Sequence, residues 1–196
     1  VPGQGKGLFA LCDHGRIVAC SAHERLRDVR PSGSGSSVRR SIPVSPQLGH
    51  IAERLLGDFA WHGPAMLEFR DDGLHPPWLI EVNGRFWGSL QLAITAGTDF
   101  PRLWVQTLRG EPVANGTTPQ AGVTLRWLWG DFKRLLHIMR GRPRGFPGTY
   151  PTRWQGLTEF FGPQLPNTQM EVWDRNDPWP AVAEWVQGAR ELVGAG

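Results

Sequence analysis

The stretch Trp78–Ile94, "WLIEVNGRFWGSLQLAI", changes period in its middle. Its first half alternates in the manner of a strand, and from Ser89 the apolar residues Leu90, Ala93 and Ile94 recur at helical spacing. Alternation places residues i, i+2 and i+4 on one side of a strand. Glu81, Asn83 and Arg85 are therefore expected on one face, and Ile80, Val82 and Gly84 on the other. Upstream, "PAMLEFRDDG" (Pro64–Gly73) alternates as well, with Met66, Glu68 and Arg70 opposite Ala65, Leu67 and Phe69. Joined across "DDGLHPP", the two segments predict an antiparallel pair in which Glu68 shares the polar face of Glu81.

Two carboxylates and an amide oxygen on neighbouring strands are hard oxygen ligands of the kind Mg²⁺ prefers. An arginine beside them suits phosphate oxygens. A solvent-facing strand edge carrying a Glu–Arg pair competes with this reading. It is disfavoured by the apolar second face of both strands and by the immediate turn into a helix.

Around this centre, "GLFALCDHGRIVACSAHERLR" (7–27) predicts two strands about a turn at Asp13–Arg16. A small-residue loop, "PSGSGSS" (31–37), and a short extended piece, "VRRSIPV", follow. Ser45 and Pro46 open an amphipathic helix over 46–60, with Leu48, Ile51, Leu55, Leu56 and Phe59 in step. Asp99 caps a helix over 100–109, closed by Gly110. After a turn-rich linker (110–122), "VTLRWLWG" is a strand candidate and "DFKRLLHIMRG" a short helix capped by Asp131. Residues 141–170 show few clean periods, and a last helix is expected from Pro178 to about Val193.

The 196 residues allow one domain with a substantial core or two small ones. No apolar run approaches the ~20 residues that span a bilayer. The opening "VPGQGKGLFA" has neither a Met nor the order of a signal peptide, which suggests a piece of a longer chain. The net charge is +3, and Lys6 and Lys133 are the only lysines, so the cations are arginine-rich; coding bias accounts for that as readily as phosphate binding does. Cys12 and Cys20 are out of register for a bridge across the first hairpin, which fits a reducing, cytoplasmic setting.

Residues 1–110, which carry these motifs, resemble the C-terminal half of an ATP-grasp domain. "GPAMLEFRDDG" and "WLIEVNGRFWGSLQLAITAGTDFPRL" are similar to ATP-grasp enzymes of the kind related to the carbamoyl phosphate synthase large subunit and the carboxylate–amine ligases. The resemblance implies an α+β fold: an antiparallel sheet with helices on one face, over residues 1–110, and an accessory Trp- and Pro-rich region over 111–196. It implies that Glu81 bridges two Mg²⁺ ions (Mn²⁺ being the substitute), that Glu68 and Asn83 each complete one of them, and that Arg85 contacts the phosphates of ATP. It places Arg25 and Arg27, with the Gly/Ser loop after them, toward the acceptor and its acyl-phosphate; a mobile surface loop with solvated arginines is the alternative. Trp87 is placed as a wall of the site. The family often has Pro where this chain has Gly84, a change read as tolerated.

The implied reaction is ATP-dependent activation of a small carboxylate for attack by an amine or similar nucleophile. The lysines and glycine-rich loop of the other ATP-grasp lobe are not among these residues, and "GQGKG" (3–7) is no P-loop. That N-terminal lobe is thus an expected partner, with a homodimer as a further one. The rival reading is a non-catalytic binding or scaffold module. His62 and His137 are expected to be structural or solvated, and no Cys/His spacing supports zinc. "KRLLHIMRGRPRG" beside Trp127 and Trp129 is too local a basic patch to argue for nucleic acid. An aromatic groove in the tail, taking sugar or peptide, is a further alternative.

Overall fold

A computed structural model describes residues 3–113 and 119–194. The middle of the linker expected at 110–122 and the first two residues of the opening segment lie outside the described residues. Seven strands form one mostly antiparallel sheet: β1 (Gln4–Asp13), β2 (Arg16–Asp28), β3 (Ser36–Ile42), β4 (Gly63–Asp71), β5 (Trp78–Asn83), β6 (Thr124–Arg126) and β7 (Thr168–Met170). Their order is β5-β4-β1-β2-β3-β6-β7, and β6 and β7 pair in parallel. Six helices are described: α1 (Pro46–Asp58), α2 (Leu90–Thr95), α3 (Phe100–Leu108), α4 (Leu128–Arg140), α5 (Arg153–Phe161) and α6 (Trp179–Gly194). The α+β class and the antiparallel sheet are those expected from the sequence. No described helix is long and apolar enough to cross a membrane.

The chain divides into two compact units, Val1–Arg25 with Arg40–Val123, and Leu26–Arg39 with Thr124–Gly196. The second unit takes in the end of β2, the loop after it and the start of β3.

In the first unit, β1 is central and both of its faces are buried. Leu8, Ala10 and Cys12 pack with Ala65, Leu67 and Phe69 of β4 beneath Leu48, Ala52 and Leu56 of α1. Phe9, Leu11 and Met66 pack on the other face with Trp87, Ala93, Phe100 and Leu103. The helices were expected on one face of the sheet; here they cover both, because β1 is apolar at every position from Leu8 to Cys12 and a strand of that kind needs two covers. Ser45 Oγ accepts from the Leu48 N–H and Asp99 Oδ1 from that of Arg102, so α1 and α3 start where their caps predict.

In the second unit the boundaries depart from expectation. The strand candidate at 123–130 stops at Arg126, and α4 begins at Leu128 with Trp127 as its cap residue. Asp131 therefore lies in the first turn of the helix, not at its cap. Within 141–170 the structure holds α5 and β7. Thr152 and Gln155 form a complete capping box: Thr152 Oγ1 accepts from the Gln155 N–H, and Gln155 Oε1 from the Thr152 N–H. The signal "TRWQ" was in the sequence, hidden by the prolines and glycines around it.

Buried arginines organise this unit. Asp131, 2% exposed, accepts from Arg126 Nε at 2.7 Å, lies 3.2 Å from Arg27 Nη2 and accepts from Ser37 Oγ at 3.2 Å. Arg126 also donates to the Phe160 carbonyl, and Arg134 bonds Glu159 and the Asp28 carbonyl. Arg39 pairs with Glu171, whose carboxyl burial pushes above its ordinary value. A planar fork that serves two or three acceptors at once is the reason for arginine rather than lysine at these positions. Lys133 lies over the Trp127 ring, its Nζ 4.7 Å from the centroid.

Candidate functional site

Glu68 of β4 and Glu81 of β5 are direct cross-strand partners, and Met66 pairs with Asn83. The register slips between Glu68 and Phe69, immediately beside this pair. Asn83 donates through Nδ2 to Glu81 Oε1 at 2.8 Å, which leaves its amide oxygen for another partner. β5 is the edge strand, and Glu81 is exposed while Glu68 is half-buried. The expected buried second face of β5 is not observed: Ile80 is 52% and Val82 44% exposed. An edge strand has a neighbour on one side only, and no described helix covers it here.

Arg25 donates to Glu68 Oε1 through Nη2. The two residues lie on β2 and β4, with β1 between them, so the guanidinium crosses β1 to reach the carboxylate. Gly5 makes room for that crossing. A Cβ on Gly5 would stand 2.9 Å from Arg25 Cδ, and one on Gly7 would stand 2.5 Å from Phe9 Cζ and 3.1 Å from His23 Nε2. In "GQGKG", Arg25 takes the space left by Gly5, and Phe9 and His23 the space left by Gly7. Lys6, between them, pairs instead with Asp71 at 2.7 Å, and this bond holds the Asp71 carboxyl below its ordinary value.

Arg85 lies past the end of β5, which stops at Asn83, so strand alternation does not carry it onto the shared face. It is exposed and donates to its neighbour's carbonyl, Phe86 O, at 3.0 Å. At Gly84 a Cβ would stand 2.5 Å from two ring atoms of Trp61, so this packing makes use of glycine. Trp87, expected to wall the site, is 5% exposed and belongs to the core, its ring stacked on Phe9 with centroids 4.4 Å apart. Five of the six residues singled out for chemistry thus lie in the first unit. Arg27 lies in the second, where Asp131 and the Glu159 carbonyl engage it and burial pushes its guanidinium below the ordinary value, with Asp131 opposing.

The Gly/Ser loop is bound to itself. The Arg30 carbonyl accepts from Gly33, the Gly35 carbonyl from Val29, and Ser34 Oγ from the Arg30 N–H. Ser37 is fully buried and donates to the Arg27 carbonyl. In the second unit, the tail where an aromatic groove was a sequence alternative, a cavity of about 470 Å³ is lined by Met170, Val172, Trp173, Val182 and Trp185, with the Glu171 and Glu184 carboxylates beside them.

Glu68, Glu81 and Asn83 together offer oxygen donors on two adjacent strands, a set that fits a hard divalent cation. One oxygen of Glu68 is already held by Arg25, which fixes that side chain's direction before any cation arrives.

Among solved structures, the chain is similar to the biotin carboxylase domain of a thermophilic 2-oxoglutarate carboxylase bound to bicarbonate, at 13% identity and a TM-score of 0.48, over 62% of this chain and 29% of that one. It is also similar to the biotin carboxylase subunit of a pyruvate carboxylase (15%, 0.49, 62% and 28%) and to a Campylobacter jejuni biotin carboxylase in complex with β-γ-ATP (11%, 0.47, 62% and 28%). The chain therefore spans less than a third of the length of these proteins. Among curated proteins none matches it in sequence. The family described as "ATP-grasp in the biosynthetic pathway with Ter operon" matches residues 10–130, which include Glu68, Glu81, Asn83 and Arg85, and the chain belongs to this family of the ATP-grasp superfamily.

Proposed function

We propose that the first unit is the Mg²⁺- and ATP-binding half of a ligase that activates a small carboxylate as an acyl-phosphate for attack by an amine or similar nucleophile. The observation that carries this reading is the cross-strand pair Glu68–Glu81 with Asn83 bonded to Glu81, in a chain of the ATP-grasp family. When bound, Mg²⁺ neutralises phosphate charge and orients the transferred group. Glu81 lies between Glu68 and Asn83 and is assigned to bridge two ions, with Glu68 and Asn83 each completing one. Arg85, exposed next to this set, is assigned to the phosphate oxygens; its contact to a carbonyl is readily exchanged. Arg25 aims Glu68 and adds positive charge beside it. Arg27, engaged on Asp131, is assigned to the framework rather than to the acceptor. Lysines that hold the rest of the nucleotide come, in this reading, from the other ATP-grasp lobe, and the whole enzyme acts in the cytoplasm.

Thermal unfolding with and without Mg·ATP tests the assignment. A ligand at ~100 times its Kd stabilises by roughly 2.7 kcal/mol, which for a chain of this size raises Tm by roughly 5–10 °C. The rise is expected to require Mg²⁺ and to vanish in Glu81→Gln. A chain extended by the preceding lobe that shows no Mg·ATP-dependent rise would sink the ligase reading. The other reading, a non-catalytic module, is favoured by the ion pair of Arg25 with Glu68, which occupies one metal donor. It predicts that Arg25→Ala gains Mg²⁺ affinity.

A further inference from the structure

The β1–β2 turn and the entrance to β4 bring together three side chains that the site above does not use. Asp13, His14 and His62 each offer one ligand atom, and these atoms all lie within 4.8 Å of one another. His62 Nδ1 is 3.4 Å and His14 Nε2 is 3.9 Å from the same oxygen, Asp13 Oδ1. The other carboxylate oxygen faces Arg16 at 3.8 Å. Along β1, Asp13 is six residues from Gly7, the partner of Glu68, or about 20 Å at strand rise.

The backbone sets this arrangement. Asp13 pairs with Arg16, and His14 and Gly15 between them have φ of 47° and 85°, the two positive values of a type I′ hairpin turn. The Gly15 N–H donates to the Trp61 carbonyl at 2.7 Å, which ties the turn to the residue before His62. A Cβ on Gly15 would stand 3.3 Å from Ala60 Cα, a tight contact, and the φ of 85° favours glycine there as well. Cys12 pairs with Gly63, placing Asp13 and His62 just past the end of the same ladder. The two imidazoles stack at 4.3 Å with their planes 14° apart, and Trp104 packs edge-on against His62 at 5.0 Å.

We propose that Asp13, His14 and His62 form a surface site for Zn²⁺, with three protein ligands and the fourth position open to water. Two imidazole nitrogens and a carboxylate oxygen are a zinc donor set, and three ligands with an open position are the open-type arrangement. Ligands at 2.0–2.1 Å in tetrahedral geometry lie about 3.3 Å apart. The Asp13–His62 separation of 3.4 Å is near that value; the exposed His14 ring, 3.9 Å from Asp13 and stacked on His62, reaches the ion by rotating out of that stack about its side-chain bonds. Zinc here would lock the β1–β2 turn to the start of β4.

The test is equilibrium dialysis of the 196-residue chain against Zn²⁺, with Co²⁺ absorption as the signature of a four-coordinate nitrogen–oxygen site. His14→Asn is the decisive variant, because asparagine accepts the positive φ of that turn. His62→Gln is the second, and His75→Asn, in the exposed pair with Asp72, is the control. Wild type is expected to bind one zinc more than either His14→Asn or His62→Gln. At the two ligands left at the turn in each variant, zinc affinity should fall at least about tenfold, the scale at which even outer-shell partners matter. His75→Asn is expected to match wild type. Zinc held by the Glu68–Glu81 carboxylates would persist in all variants, so the difference of one ion is the readout. Equal stoichiometry in wild type and His14→Asn overturns the proposal, as does loss of the ion in His75→Asn. Should His62→Gln fail to fold, His14→Asn decides alone.

Discussion

Gly7 shows how much one hydrogen atom in place of a side chain can decide. A methyl group there would meet the Phe9 ring, which is itself stacked on Trp87, and the buried His23 imidazole. None of the three can move without disturbing the α2–α3 face of the core. Gly7→Ala is therefore expected to lower stability by about 1–3 kcal/mol, the cost of overpacking a filled core, and urea unfolding measures it. Gly84→Ala is expected to do the same against Trp61, with Trp61→Leu partly restoring the double variant. Cys12 makes a different prediction. Burial, with a smaller contribution from Cys20, pushes its thiol up to about 11. In the unfolded chain the thiol ionises at its ordinary, lower pKa, so the unfolded state loses the proton first. Stability is thus unaffected below that value and falls as pH rises from there toward 11. Tm measured from neutral to alkaline pH should decline in this window, and less so in Cys12→Ala. At neutral pH the native chain should resist alkylation at Cys12 until denaturant is added.

At the scale of elements, caps and short connections carry the local order. The capping box of Thr152 and Gln155 starts α5 in a segment with little other helical signal. Thr152→Ala removes one half of it and is expected to cost about 1 kcal/mol, read from the denaturation midpoint. The connection from β4 to β5 is held by Asp72, which accepts from the N–H groups of Leu74 and His75 and contacts His75 Nδ1 at 2.8 Å. These bonds, led by that to His75, hold its carboxyl at about 2. A depressed carboxyl contributes stability above its unfolded pKa and loses it as pH falls through the folded value. The Leu74 and His75 amides should accordingly stay protected on acidification until pH approaches about 2, a course that hydrogen exchange can follow. These element-level features were partly legible. Ser45, Asp99 and the T-x-x-Q box are local signals, readable because a cap and its partner lie within four residues. The end of the 123–130 segment was not, because Trp127 and Trp129 suit a strand as well as a helix and tertiary packing chose between them.

For the whole molecule, the second unit depends on charges that meet only after folding. Asp131 is shared by Arg126, Arg27 and Ser37. Its removal would leave buried guanidinium groups without their carboxylate, so Asp131→Ala should cost roughly 3–5 kcal/mol. Hydrogen exchange would check it: amides of α4 and α5 should lose protection before those of β1 and β4. The same distances in sequence separate what was legible from what was not. The strands and helices of the first unit, the ATP-grasp motif and the cross-strand meeting of Glu68 with Glu81 were determined by the sequence alone. Their signals are periodicities of two and 3.6 residues and a single short strand connection, which the chain expresses locally. Tertiary structure alone decided that Arg25 crosses β1 at Gly5, that Arg27 and Arg39 are anchored to partners more than a hundred residues away, and that His62 comes to rest beside Asp13 and His14. Such contacts depend on which segments pack together, and no local pattern encodes that, because burial and close approach are properties of the assembled sheet.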